Sequence, residues 1–61
     1  MSAADKILEI IKQNPGGIMI SQIQKATGLS RSAVSKALAE LKSKGVVEEV
    51  VKGCRKYYKP K

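Results

Sequence analysis

The stretch SQIQKATGLSRSAVSKALAELKSKG, residues 21–45, specifies two helices and the turn between them. Ser21 and Gln24 make the S-x-x-Q pattern, in which each side chain satisfies a backbone donor at a helix start. Ile23 and Ala26 carry a short helix over about 22–27, and Gly28 supplies the permissive backbone position that ends it. Ser30 is the next natural N-cap. Beyond it Val34, Leu38 and Leu41 recur at i, i+4 and i+7 with Ala37 beside them, which predicts a longer helix over about 31–44, closed by Gly45.

The flanks supply the rest of a small core. Ser2 can cap a first helix over about 3–14 whose Ala4, Ile7, Leu8 and Ile11 share one face, widened by Ile10. The NPGG segment, residues 14–17, stops it, because proline disfavours the helical region at Asn14. Ile18, Met19 and Ile20 are too few for a helix between that turn and the next cap, and their β-branched ends suit a brief strand over about 18–20. After Gly45, VVEEVVKGCRKYYK reads as a hairpin over about 46–59. A type II′ turn at Gly53 and Cys54 sets Val50 opposite Tyr57 and Glu48 opposite Lys59; a turn at Lys52 and Gly53 shifts that register, and valines on both faces leave the choice open. The expected fold is α+β, mainly α, over residues 1–61 as one domain. Its order is helix, short strand, helix, helix, strand, strand, with the strands in a small antiparallel sheet.

With 61 residues the chain buries only about 60% of its unfolded surface, so a sizeable enzyme pocket is not expected. No histidine base, serine-nucleophile motif or glycine-rich phosphate loop is present, and the chain is read as a non-enzyme without a cofactor. Cys54 is the single cysteine, which excludes an intramolecular disulfide and leaves no Cys/His metal site. A lone cysteine at the hairpin turn is read as incidental rather than as a redox switch, and Tyr58 is expected to be at least partly buried. The first twenty residues contain Asp5 and Glu9 and no long apolar run, so neither a signal peptide nor a membrane span is expected, and the setting is cytoplasmic, or nuclear in a eukaryote.

Twelve basic residues against five acidic ones give a net charge of +7, which points to phosphate-rich partners. The excess falls in two acid-free blocks: Lys25, Arg31 and Lys36 within 21–39, and Lys52, Arg55, Lys56, Lys59 and Lys61 within 50–61. At about 100° per residue, the helix from Arg31 sets Val34, Ala37, Leu38 and Leu41 on one side and Ser32, Ser35, Lys36, Ala39 and Ser43 on the other. That polar side lacks the mixed Glu and Lys pairs of an ordinary solvated helix. Its small residues allow close approach to another surface, and a B-DNA major groove of about 12 Å admits a helix. Ser32 and Ser35 can meet phosphates or base edges, and Arg31 in the first turn suits guanine or phosphate. Ala33 stands where a capping-box acid would, so the helix start keeps N–H groups free for phosphate. The plainer reading, that these are tolerable surface residues, is weakened by the short helix, turn and longer helix together, which make a helix-turn-helix unit.

From ISQIQKATGLSRSAVSKALAELKSKGVVEEV followed by GCRKYY, the chain resembles winged helix-turn-helix domains, similar to the DNA-binding halves of MarR-like and ArsR-like bacterial and archaeal regulators. The resemblance implies that Ser30, Arg31, Ser32, Ser35 and Lys36 lie against the major groove of double-stranded DNA. It implies also that Lys52, Arg55 and Lys56 reach a flanking groove or the backbone. The chain departs from ArsR-like metal sensors in having one cysteine and no histidine, and from MarR-like regulators in lacking their long dimerisation helices. The resulting expectation is a small transcriptional regulator or its DNA-binding domain. The alternative is a protein-interaction winged helix in transcription or replication machinery, where the same face meets an acidic protein partner. A homodimer is left open, with helix 1, through Ile10, as the spare apolar surface.

Overall fold

The computed structural model describes residues 2–61. It arranges them as α1 (Ala3–Lys12), α2 (Ile20–Thr27), α3 (Arg31–Ser43), β1 (Val47–Lys52) and β2 (Arg55–Pro60). Ser2 caps α1 through a reciprocal pair: its hydroxyl accepts the Asp5 N–H at 3.2 Å, and the Asp5 carboxylate accepts the Ser2 N–H at 3.4 Å. The helix stops at Lys12, short of the expected 14, with Gln13 as its C-cap. The Asn14 side-chain amide then donates to the Ile10 carbonyl at 2.7 Å, satisfying a last-turn acceptor and turning the chain into Pro15.

The strand expected at 18–20 is not formed, so the sheet has two strands rather than three. Only Ile18 pairs, exchanging both backbone bonds with Tyr58: its N–H donates at 2.9 Å and its carbonyl accepts at 2.8 Å. The chain then turns into a helix before a second pair can form. The Met19 N–H donates to Gln22 Oε1 at 3.0 Å, which makes Met19 the N-cap and starts α2 at Ile20. Gln22 therefore takes the reciprocal role expected of Gln24, and Ser21 sits exposed in the first turn instead of capping. At the far end, Thr27 Oγ1 donates to the Ile23 carbonyl at 2.8 Å and accepts the Leu29 N–H at 3.2 Å, tightening the turn at Gly28. Ser30 caps α3 by accepting the Ala33 N–H at 3.2 Å.

β1 and β2 pair antiparallel with Val50 opposite Tyr57, Glu48 opposite Lys59 and Lys52 opposite Arg55. Of the two registers open from sequence, this is the one with Gly53 and Cys54 at the tip. Gly53 has φ 60° while, among the described residues, no residue type but glycine takes a positive φ, the pattern of signs that a type II′ turn requires.

The core joins Ala4, Ile7 and Ile11 of α1, Ile18, Ile23 of α2, Val34, Ala37, Leu38 and Leu41 of α3, Val47 and Tyr58. Ile7, Ile11, Ile23 and Val34 are completely buried, and each such side chain contributes about 1.5–3 kcal/mol over its exposed state. Ile10 packs partly buried against this cluster, so α1 offers less spare apolar surface than its sequence suggests. The exposed large aliphatics are Val46 and Val51 instead. Tyr58, with 6% exposure, anchors the hairpin to the helices together with the Ile18 bridge. Beside it, Gly17 has φ 111° and approaches Tyr57 so closely that a Cβ there would lie 3.0 Å from the Tyr57 Cβ.

Candidate nucleic-acid interface

α3 presents three different strips. Its core side is closed by Val34, Ala37, Leu38 and Leu41. Ser32, Ser35, Lys36, Ala39 and Ser43 are all exposed, leaving a low ridge of small side chains that carries one lysine. One flank faces α1: Ala33, Lys36, Ala37 and Glu40 meet Ser2, Ala3 and Ala4 across a shallow groove. The opposite flank faces the hairpin and contains Arg31.

The eight residues singled out by sequence are exposed, but they do not form one continuous patch. Arg31, Arg55 and Lys56 come together, with Cys54 and with Met19, Ile20 and Ser21 at the start of α2, around a cleft of about 370 Å³. No acid lines it. Lys36 lies across the ridge on the α1 flank. Lys52 lies with Gly16, Val50, Tyr57 and Lys59 around a second cleft. Ser30 is committed to capping and shares a hydroxyl–hydroxyl hydrogen bond of 3.3 Å with Ser32. The first turn of α3 contains no acid, so its remaining N–H groups and positive dipole end face outward unopposed.

Four of the five acids, all but Glu9, are spent on internal partners. Asp5 belongs to the α1 capping box. Glu40 pairs with Lys44 at 3.9 Å and Glu48 with Lys59 at 3.3 Å, while Lys42 Nζ lies 3.6 Å from Glu49 Oε1. Among the described residues these are the ion pairs; Arg31, Lys36, Lys52, Arg55 and Lys56 enter none of them. Lys59, counted with the basic block from sequence, is thus partly neutralised, whereas the cations at the wing tip are bare.

Glu49 is a side chain of this face that the sequence did not single out. It sits directly across from Tyr58 in the sheet, and the Tyr58 hydroxyl donates to its Oε1 at 3.0 Å. That hydrogen bond chiefly, with help from the nearby Lys42 and Lys56 charges and against some desolvation, holds the Glu49 carboxyl below its ordinary pKa. Burial first, and then the Glu49 carboxylate, push the Tyr58 phenol above its ordinary value. The Val50–Tyr57 register already implies the Glu49–Tyr58 pair. Nothing in the sequence indicates that Lys42, from the last turn of α3, completes it.

A family model for winged helix-turn-helix DNA-binding domains matches residues 6–48. A solved structure from work on the DNA recognition and protein interaction domains of HOP2, and on its homologous DNA pairing, is similar over 98% of this chain and 100% of its own. The two share 28% sequence identity with a TM-score of 0.80. No curated protein sequence matches the chain. Among the described residues no helix is long and apolar enough to cross a membrane.

Proposed function

Because the chain belongs to the winged helix-turn-helix DNA-binding family, we propose that it is a double-stranded DNA-binding module, a small transcriptional regulator or the DNA-binding domain of one. In this reading the ridge of Ser32, Ser35, Ala39 and Lys36 enters the major groove. The wing, through Lys52, Arg55 and Lys56, lies on the backbone or in the adjoining minor groove. The observation that carries it is the acid-free cleft that joins Arg31 of α3 to Arg55 and Lys56 of the wing. A phosphate seated there is held from two elements at once, which fixes the angle at which α3 meets the duplex. Ser30 contributes by ordering the helix start, and the amide groups of that first turn add a further phosphate contact. The likeness to MarR-like and ArsR-like DNA-binding halves supports the regulatory role.

Titration with duplex DNA at several salt concentrations tests this. Each cation that neutralises a phosphate adds about −0.9 to the slope of log K against log salt, so a steep fall is expected. Absence of salt-dependent binding at low ionic strength rejects the reading. The second reading is a protein-interaction winged helix in transcription or replication machinery. It draws on the similarity to HOP2, where protein interaction domains accompany DNA recognition. Affinity for an acidic polypeptide such as polyglutamate, with none for duplex DNA, selects it.

A further inference from the structure

We propose that Glu49 is a specificity-determining residue that withholds Lys42 from phosphate and so limits backbone contact along the seam between α3 and the wing to its wing-tip end. This inference rests on the DNA-binding reading and deepens it.

Arg31 and Lys42 are about three turns apart on α3 and therefore share one flank of the helix. Arg31 opens into the cleft, while Lys42 reaches Glu49 of β1 at 3.6 Å. Lys56 of the neighbouring strand lies close enough for its charge to act on the same carboxylate. With no acid between them, Arg31, Lys42, Lys56 and Arg55 would make one continuous basic seam between α3 and the wing. Such a seam attracts any polyanion regardless of sequence, because phosphate neutralisation carries no base information. Glu49 interrupts it.

The interruption is fixed in place. The Tyr58 ring is buried in the core, and its hydroxyl binds Glu49 Oε1 at 3.0 Å. The carboxylate is thereby held at the seam instead of swinging into solvent. Lys42 has 47% of its side chain exposed and Glu49 25%, so the pair is open to an incoming phosphate, which must compete with a carboxylate that cannot retreat. An exposed ion pair of this kind adds little stability. Its effect falls on which cations are free to bind.

Glu49→Gln tests the idea, since the amide oxygen can still accept the Tyr58 hydroxyl while the charge is gone. The readout is affinity for unrelated DNA duplexes as a function of salt, with circular dichroism to follow folding. The expected result is several-fold tighter binding to every duplex at low salt and a slope steeper by about 0.9, from the one phosphate that Lys42 then neutralises. Adding Lys42→Gln to that variant returns the slope to the wild-type value. Lys42→Gln alone, at an exposed position, leaves the wild-type slope unchanged because Lys42 is already engaged; this keeps the test decisive should Glu49→Gln fold poorly. A purely structural role for Glu49 predicts weaker binding in Glu49→Gln, with no steepening. An unchanged or shallower slope in Glu49→Gln, or a slope lowered by about 0.9 in Lys42→Gln alone, overturns the inference. Wild-type protein that shows no salt-dependent duplex binding removes the DNA-binding reading itself, and the inference with it.

Discussion

The helical body and the wing are held together by different means. In the body, four completely buried aliphatic side chains, Ile7, Ile11, Ile23 and Val34, interlock three helices. The wing is attached by Val47, by Tyr58 and by one backbone bridge to Ile18, and beyond Val50 all its residues through Lys56 are exposed. Burial therefore fixes the body, while the wing tip is left to carry charge at little structural cost. Stability and phosphate binding should separate along that line.

The largest effect is expected in the body. Ile23→Ala should cost about 2–5 kcal/mol, comparable with the whole stability of a domain this small, for which about 3–5 kcal/mol is typical. Urea denaturation followed by circular dichroism measures it; a loss below about 1 kcal/mol would mean that the helices are not interlocked as described. Next comes the joint between the regions. Gly17→Ala places a side chain at φ 111° and 3.0 Å from the Tyr57 Cβ, and should destabilise by more than about 1 kcal/mol while shifting the hairpin. Retained stability with unchanged Tyr57 chemical shifts would show that the hairpin is not seated against this turn.

Tyr58→Phe sharpens the same joint. It leaves the packing and removes the hydrogen bond to Glu49, at an expected cost of about 1 kcal/mol in a denaturant melt. The linkage also has a pH signature. The Glu49 carboxyl is depressed by its Tyr58 hydrogen bond, so its contribution is present above the ordinary glutamate value and is lost as pH falls through the lower folded value. The Tyr58 phenol is raised, so its contribution is present below the ordinary tyrosine value and is lost as pH rises through the higher folded one. In Tyr58→Phe the alkaline loss should vanish and the acid loss shrink. Melts recorded from acid to alkaline pH would contradict this if both variants showed the same profile.

At the bottom of the scale, Lys36→Gln and Lys52→Gln are exposed changes and should leave stability within about 0.5 kcal/mol of wild type. Their effect should appear in the salt dependence of duplex binding, as a slope shallower by up to about 0.9 each.

Where structure was legible in the sequence, local chemistry determined it. α3 follows from the Ser30 cap and the Val34, Leu38 and Leu41 spacing, because both act within a few residues. The hairpin was legible from its β-branched and aromatic residues, but its register was left between two turns that both contain Gly53, and the structure takes the one that sets Glu48 opposite Lys59. The segment 18–20 was not legible, because its outcome depends on where α2 starts. Gln22 accepts the Met19 N–H and makes Met19 the N-cap, so Ile20 is already helical where a second ladder pair would need it extended. The candidate interface was legible as residue types but not as an arrangement. Arg31 turns to the wing and Lys36 to α1, a division set by the hairpin on one side of α3 and α1 on the other. The Lys42–Glu49 contact joins the end of a helix to a strand, and neither residue signals it through spacing.

The central claim is that cations from α3 and from the wing tip form one phosphate-binding site on a scaffold that does not need them for folding. Its most direct test is duplex titration across a range of salt concentrations with wild type and with the combined Arg31→Gln, Arg55→Gln and Lys56→Gln variant. The variant should melt like wild type and show a slope shallower by about 0.9 for each cation removed. A folded variant that keeps the wild-type slope would contradict the account.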